Sequence, residues 1–362
     1  MTQQEYDFNA KLEYSINLLR KGEKLALRYN DFGYFLAFSG GKDSQALYHV
    51  AKLAEVKFEA HYSITTLDPP ELVHFIRRNY PDVINDRPEL TFQRLCISKK
   101  ALPTMIKRFC CAELKEPKGA GTVTLTGVRK QESLQRSKRN EAEIVTNRKK
   151  DRFSGTYEQF DEFTRTKEVE NVQCVGGKDK IVINPIIEWT DKDVWYFLNE
   201  VVKVEHCELY DRGWKRIGCL FCPMASKRHI LHEKKLYPKY YSRLLRIIHE
   251  LRKVGYMNKY ADLTDEEIAT WWISKKGIRE WYADNKLQGK LFNDFKESMK
   301  EKKAYITPEM QVTKAQLEED IMCVSSEENG KPGHGWGDRN HDHIGPPGQN
   351  KKNGITDIWE DL

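Results

Sequence analysis

The chain of 362 residues has no apolar run near the roughly 18 to 20 residues that a membrane-spanning helix needs, which excludes a helical membrane protein. Its first residues, MTQQEYDFNAKLEY, lack the apolar core of a secretion signal, so a soluble, cytoplasmic protein with no membrane partner is expected. A strong excess of one charge is also missing. Sixty Lys and Arg stand against 54 Asp and Glu, a formal balance of +6, which permits nucleic acid or an anionic substrate as partner without demanding either. Internal repeats and sustained heptads are absent, which argues against a solenoid or a coiled coil. Eight cysteines are present, and without an export signal they read as thiols or metal ligands rather than disulfides.

What is there reads as strands alternating with helices. Phe8, Leu12, Ile16 and Leu19 recur at near-helical spacing and predict an amphipathic helix over residues 5 to 29. The apolar run Tyr34 to Phe38 predicts a strand, and the stretch from Asp43, with Ala46, Leu47, Val50 and Leu53 on one side, predicts a helix after it. A second strand at Phe58 to Ile64 precedes a helix from Pro69 to Arg78, with proline near its first turn, and further strands are expected at Thr122 to Thr126 and Ile181 to Asn184. This alternation predicts an α/β fold with a parallel sheet flanked by helices. From Thr190, an N-cap before Val194, Trp195, Phe197 and Leu198, the pattern turns mainly helical, and Thr264 with Glu267 reads as a capping box.

Two long polar stretches stand out. Residues 129–180 begin strongly basic and are long for a loop inside a compact domain, so they are expected to form a flexible flap over substrate. From about Ser325 the composition becomes rich in Gly, Pro, Asn and His, which predicts a flexible tail; His334, His341 and His343 there read as solvated rather than as metal ligands.

Ser39-Gly40-Gly41-Lys42-Asp43-Ser44 lies directly between a predicted strand and a predicted helix. Two glycines let the backbone turn tightly and approach a ligand, and successive N–H groups with a helix N-terminus make a concavity suited to phosphate. The Walker-type spacing of Gly, four residues and Gly-Lys-Ser/Thr is absent, which disfavours a kinase or GTPase.

With these residues in place the chain resembles the PP-loop ATP pyrophosphatases, whose fingerprint is SGGxDS in this setting. The resemblance narrows to the phosphoadenosine phosphosulfate reductase family at Thr66-Leu67-Asp68-Pro69-Pro70-Glu71, at Gly127-Val128-Arg129-Lys130-Gln131-Glu132-Ser133 with Arg136, and at Asn184-Pro185-Ile186-Ile187-Glu188-Trp189. It implies a Rossmann-like HUP fold, with a nucleotide-binding domain over residues 1–205, a helical region over 206–324 and the tail over 325–362. It also implies an adenine nucleotide held by Ser39, Gly40, Gly41, Lys42, Asp43, Ser44, Asp68, Gly127, Arg129 and Arg136, with Lys42, Asp43 and Arg129 as catalytic candidates. Mg²⁺ is expected to accompany ATP, with Asp43 as a contact. Arg129 and Arg136 offer guanidinium forks to phosphate or sulfate oxygens, whereas Lys138, Arg139 and Lys149 read as a solvated basic face.

Cys110-Cys111 and the distant Cys219-Leu220-Phe221-Cys222 form a second group. A CxxC lets two thiolates reach one metal centre, and a second pair completes four soft ligands, as an iron-sulfur cluster or zinc requires. Iron-sulfur reductases of the family are similar in carrying Cys-Cys and a distant CxxC on a 4Fe-4S cluster, which makes that cluster the expected cofactor, zinc the alternative, and a metal-free thiol set the third reading. Cys207 is the substitute if adjacent Cys110 and Cys111 do not both ligate; Cys96 and Cys174 read as ordinary thiols.

The sequence departs from the reductases in one respect. They carry a nucleophilic cysteine in a Glu-Cys-Gly-Leu-His segment, and here the late Cys323 stands in Ile-Met-Cys-Val-Ser without a local activating group. The expected activity is therefore ATP pyrophosphatase or adenylation chemistry in sulfur transfer to a nucleic-acid acceptor, with a sulfur-donor protein as a further partner. Sulfonucleotide reduction and non-catalytic nucleotide sensing are the alternatives. Basic and aromatic residues interleave from Lys227 to Tyr241, on a helix that meets nucleic acid or simply packs its aromatic face inward.

Overall fold

In the computed structural model the residues described are 3–146, 151–166 and 179–287. The expected tail, Cys174, Cys323, Lys149 and the tail histidines lie outside them. Helix α1 (Gln3–Tyr29) leads into β1 (Tyr34–Phe38), α2 (Lys42–Ala54), β2 (Phe58–Ser63), α3 (Pro70–Asn79) and β3 (Ile84–Asp86). Then come α4 (Phe92–Lys99), α5 (Phe109–Leu114), β4 (Val123–Leu125), β5 (Ala142–Val145), β6 (Phe153–Gly155), α6 (Tyr157–Thr166) and β7 (Lys180–Ile183). Helices α7 (Asp191–Tyr196), α8 (Lys227–Leu236) and α9 (Pro238–Lys253) follow.

The seven strands form one sheet in the order β3-β2-β1-β4-β7-β5-β6. The first five run parallel, and β5 and β6 add an antiparallel edge beside β7. The parallel alternation expected from sequence is thus present. Its central strands are buried on both faces, as crossover-covered parallel strands must be: Tyr34, Leu36 and Phe38 of β1, all of β4, and Ile181 to Ile183 of β7. Helices α1 and α2 pack against β1, with Leu18 and Leu19 of α1 and Leu47, Val50 and Ala51 of α2 buried, while Phe8 at the start of α1 meets the rings of Trp189, Tyr196 and Phe197. Ser15 is buried on α1 because its hydroxyl donates to Pro185 O at 2.8 Å and accepts from Trp189 Nε1 at 3.1 Å, which ties α1 to the loop after β7.

Residues 129–180, expected as a basic flap, hold β5, β6 and α6 in their described part. The basic composition is absorbed locally. Arg139 donates to the buried carboxylate of Glu143 at 2.7 and 2.6 Å, which lets an acidic residue sit inside a sheet strand.

Strand order reverses between β1 and β4: from β1 the chain proceeds outward through β2 and β3, and from β4 it proceeds the other way. Loops after β1 and β4 therefore diverge above adjacent strand ends, where open α/β sheets form their ligand crevice. The compact unit that contains the sheet runs from the start of the chain through Asp265, so it takes in α8 and α9, which the sequence reading placed in a region beginning at 206. A second unit begins at Glu266 and is described to residue 287; within it Ile268, Ala269, Trp272 and Trp281 are buried, and Lys286 pairs with Glu267 at 2.8 Å. Among the described residues no helix is long and apolar enough to cross a membrane.

Candidate functional site

The turn after β1 is built from its own side chains. Ser44 Oγ accepts from Ser39 N at 3.1 Å and donates to Gly41 O at 2.9 Å, closing the loop on itself. Gly40 adopts φ +70°, and a Cβ there would lie 2.7 Å from Ile76 and Leu72 of α3, so glycine is required on both counts. Gly41 is the residue before α2 and has no side chain to cap the first-turn N–H groups. One of them, Lys42 N, donates to Tyr210 Oη at 2.8 Å. Burial first, then the carboxylate of Asp43, pushes the Tyr210 phenol up, so it stays protonated while accepting that bond.

Four charges meet at this helix start. Arg129 Nε reaches Asp43 Oδ1 at 2.7 Å and its terminal nitrogen reaches Asp191 Oδ1 at 3.0 Å; Lys42 Nζ lies 2.9 Å from Asp191 and 3.2 Å from Asp43. Both cations are buried, at 2% exposure for Arg129 and 7% for Lys42, so their desolvation must be offset by these partners. For Arg129 burial opposes the charge, and Asp43 and Asp191 outweigh it and hold the guanidinium more firmly protonated. Its remaining nitrogen donates to Trp189 O at 3.2 Å, and its backbone N–H donates to Glu132 at 3.0 Å. Gly127 explains the closeness of the two loops: a Cβ there would meet Asp43 O at 2.8 Å and Ser44 N at 3.2 Å.

Asp191 and Tyr210 were not singled out in the sequence. A signal for Asp191 existed: it follows Thr190, whose Oγ1 accepts from Asp193 N at 3.2 Å while Asp193 Oδ2 accepts from Thr190 N at 2.7 Å, a capping box at the start of α7. Tyr210 left no comparable mark. Arg136 stands apart from the charge cluster, bonded to Glu132 on the turn that holds Arg129.

Asp68 belongs to a second centre. Its carboxylate is buried and accepts from Thr65 N at 2.8 Å, in a loop where Thr66 is forced to φ +64°. A β-branched residue pays strain in that region. Phe92 N bonds Thr66 Oγ1 at 3.0 Å and Arg243 bonds Thr66 O at 3.0 Å, which hold the conformation. Leu220 N donates to Leu67 O at 2.8 Å, so the CxxC turn is attached to this loop. Phe221, in the middle of the turn, adopts φ +53°, and its N–H donates at 2.8 Å to Glu233, a carboxylate 1% exposed and paired with His229 at 3.2 Å.

The four expected cysteines share one neighbourhood. Cys110 is pushed up by its hydrogen bond with Cys111 and by burial, with Cys222 beside it; Cys222 in turn is pushed up by burial, with Cys219 and Cys111 beside it. Cys111 is drawn down, by the bond from Cys110 first and then by Lys115 and Arg108, against its own burial. Lys115 lies among Cys219, Asp68 and Cys111, which hold it charged although burial opposes that. All four thiols are free and partly accessible. Cys207 is not one of this set: it is buried, its thiol is pushed up to about 11 by that burial, and its charged neighbours are Glu208, Glu71 and Arg212. Cys96 is likewise buried and pushed up to about 12. Among the described residues no group of three or more His, Cys, Asp or Glu side chains is arranged to hold a metal ion.

Comparisons with known proteins establish the family. Uncharacterized protein MJ0973 of Methanocaldococcus jannaschii is 27% identical over 253 residues, 67% of this chain and 53% of the relative. Uncharacterized protein MJ0066 of the same organism is 29% identical over 126 residues, 34% of this chain and 23% of the relative. The chain thus spans about half the length of the first and a quarter of the second. Among solved structures, the phosphoadenylyl-sulfate reductase of Candida auris in its phosphate complex aligns over 57% of this chain and 95% of its own, at 16% identity and TM-score 0.35. Candida glabrata FMN adenylyltransferase with FAD and inorganic pyrophosphate aligns over 59% and 63%, at 12% identity and TM-score 0.40. The family model described as the phosphoadenosine phosphosulfate reductase domain matches residues 33–225, more than half of the sequence, and the chain belongs to that family.

Proposed function

We propose that the chain binds ATP with Mg²⁺ on the Ser39 to Ser44 turn and releases pyrophosphate while activating a nucleic-acid acceptor for sulfur transfer. The observation that carries this reading is the pair of buried cations, Lys42 and Arg129, fixed by Asp43 and Asp191 at the N-terminus of α2. In an in-line displacement at the α-phosphate the acceptor oxygen forms a bond to phosphorus as the bond to pyrophosphate breaks. Negative charge then gathers on the leaving group. Cations already oriented by carboxylates stabilise that charge without reorganising, which is where electrostatic catalysis is strongest. Beyond Lys42 N, which Tyr210 holds, the first-turn N–H groups of α2 have no side-chain cap and would supply neutral donors to the same phosphates. Asp43, at the same helix start, is the carboxylate available to Mg²⁺.

Cys110, Cys111, Cys219 and Cys222 are the donors a 4Fe-4S cluster would use, four thiols from two segments in one neighbourhood with one drawn toward thiolate; they are not drawn together around a metal centre as they stand, so a cluster would have to gather them. Such a cluster would supply electron or sulfur chemistry beside the nucleotide, whereas zinc in the same place would only hold the loops together. The residues around the cysteines have roles of their own. Glu233 and Leu67 O hold the CxxC turn, and Lys115 balances thiolate charge.

Family membership favours a second reading, reduction of a sulfonucleotide. One experiment separates the two. Protein purified without oxygen is assayed for iron and acid-labile sulfide, then given ATP with Mg²⁺, or phosphoadenosine phosphosulfate with a thiol reductant. Pyrophosphate from ATP, lost in Lys42→Ala, supports the proposal. Sulfite from the second tube replaces it with the reductase reading, and nucleotide binding without either product leaves a sensor. An iron content unchanged by Cys219→Ser would remove the cluster from the scheme.

A further inference from the structure

Charge is distributed far less evenly than the overall balance implies. Residues 213–249 contain nine of the 60 basic side chains and one of the 54 acidic ones, a local balance of +8 against +6 for the whole chain, so elsewhere acids outnumber bases by two. The single acid, Glu233, is buried and engaged with Phe221 N and His229, and it offers the surface no counter-charge. Helix α8 lies in this stretch and α9 runs a few residues beyond it, where Glu250 pairs with Lys253; Arg243 turns to Thr66 O and Lys234 to the Tyr241 ring, and other cations of the two helices are exposed.

On α8 the exposed residues include Lys227, Arg228 and Lys235, at helical positions that share one face. Lys239 and Arg246 are exposed two turns apart on α9. None of these five pairs with a carboxylate among the described residues. Unpaired like charges this close repel one another, and an anionic partner would relieve that repulsion.

Three features narrow the partner. The apolar sides of both helices face inward, with Ile230, Tyr241, Leu244, Ile247, Ile248 and Leu251 buried; Leu231 on α8 is the one large apolar side chain of the two helices that is exposed, too little to enter a lipid interface. Tyr237 and Tyr241 are buried as well, which leaves little aromatic platform for stacked bases and favours contact with a phosphate backbone. The helices are also rooted at the cysteine centre: α8 begins at Lys227, capped by Ser226 shortly after the CxxC turn, and Tyr240 Oη donates to Asp68 O at 3.3 Å.

We infer that the outer face of α8 and α9 is a docking surface for nucleic acid, held through its phosphates without regard to base sequence. The inference deepens the proposed function and rests on it for the reason an acceptor must be brought here; the binding itself does not depend on that reading. Five cations engaging phosphates predict a log-log salt slope near −4.5 on duplex, which corresponds to roughly a 500-fold loss of affinity between 50 and 200 mM salt.

The full chain is titrated by fluorescence anisotropy against labelled single- and double-stranded DNA and RNA of mixed sequence at several KCl concentrations. Binding with the predicted slope supports the surface. Lys227→Glu with Arg228→Glu and Lys239→Glu should weaken binding at least 30-fold while pyrophosphate release from ATP alone stays unchanged. A milder pair, Lys239→Gln with Arg246→Gln, should flatten the slope by about two and guards against misfolding of the triple variant. The inference is overturned if the variants bind like the unaltered chain, if the slope is one or less, or if polyglutamate or phosphatidylglycerol vesicles compete better than nucleic acid. Nucleic-acid binding without pyrophosphate release would sink the ATP reading and leave the surface standing, and the reverse result would sink the surface alone.

Discussion

Gly127→Ala adds one methyl group at a close approach of the two loops that build the proposed nucleotide site. Its Cβ would stand 2.8 Å from Asp43 O, 3.0 Å from Asp43 C and 3.2 Å from Ser44 N, where ordinary contact begins at 3.4 Å. The worst contact therefore requires a displacement of about 0.6 Å, and all three neighbours are backbone, so no side-chain rotation relieves it. Overpacking of this kind costs about 1–3 kcal/mol. The strain falls on the residue that holds Arg129 at 2.7 Å and next to the N–H that meets Tyr210 at 2.8 Å. A misplacement approaching 1 Å lowers catalysis by up to about 100-fold. Urea denaturation reads the stability loss, and calorimetric titration with ATP and Mg²⁺, alongside pyrophosphate release, reads the site. Gly218→Ala, where a Cβ meets nothing within 4 Å, is the stability control. If Gly127→Ala keeps its denaturation midpoint and binds ATP within twofold of the unaltered chain, the two loops are not held at contact distance and the site geometry argued above is wrong.

His49 lies 3.1 Å from Tyr80 Oη, and burial first, then Lys52, lowers its pKa from 6.5 to about 4. Because the folded value is the lower one, the unfolded chain takes up the proton first. Stability from this group is then full above pH 6.5 and drains away as pH falls toward 4, by roughly 1–3 kcal/mol after allowing for partial exposure. His49→Gln should show a shallower loss between pH 7 and 4.5, and equal losses in both proteins would remove His49 as the cause. Thr190→Ala removes the cap on α7 and should cost about 1 kcal/mol, with Thr190→Ser restoring most of it; a melting temperature untouched by both would mean that the cap does not hold Asp191 in place. Glu233→Ala leaves the Phe221 N–H buried without an acceptor, a cost of about 1–3 kcal/mol, and should lower the iron or zinc retained by the protein. Glu233→Gln keeps an acceptor oxygen and should retain metal, and equal metal content in Ala and Gln variants would refute that role.

The parts of the fold that could be read from sequence are those set by local chemistry. Tyr34 to Phe38 is an unbroken apolar run because a central parallel strand is covered on both faces, and β1 has those bounds. Residues 58 to 64 are a more broken pattern in which Ala60 and Tyr62 alone are buried within β2, and 69 to 78 were visible for the proline at the helix start. In contrast, β3 is three residues of half-exposed sheet edge, and β5 carries Glu143 in the interior, tolerable only because Arg139 neutralises it there. No periodicity reveals a strand whose buried residue is charged. The site divides in the same way. Ser39 to Ser44 form their hydrogen bonds among themselves and were legible, as was the spacing of the CxxC. Asp191 acquires its role only where α7 meets α2 and the loop after β4, and Tyr210 only by reaching Lys42 N across the fold. Asp68 and Arg136 carried motif residues' identities but stand with the cysteines and with Glu132, away from the charge cluster.

A balance of +6 conceals two surfaces with opposite electrostatic design. At the proposed nucleotide site two cations are matched by two carboxylates, so the local charge is near zero and arriving phosphates would share Lys42 and Arg129 with Asp43 and Asp191. That arrangement contributes orientation more than attraction, and buried pairs are little screened by salt. The exposed cations of α8 and α9 are the reverse: unpaired, solvated and able to attract a polyanion from a distance. Ionic strength should therefore separate the two steps. Between 50 and 200 mM KCl the KM for ATP is expected to change by less than about threefold, while affinity for nucleic acid falls by two orders of magnitude or more. Steady-state pyrophosphate release without acceptor, measured beside anisotropy on the same protein, reads both. If the KM for ATP rises in parallel with the nucleic-acid Kd, the phosphates are held by long-range charge and not by the four-residue cluster, and Asp43 and Asp191 would lose the orienting role assigned to them.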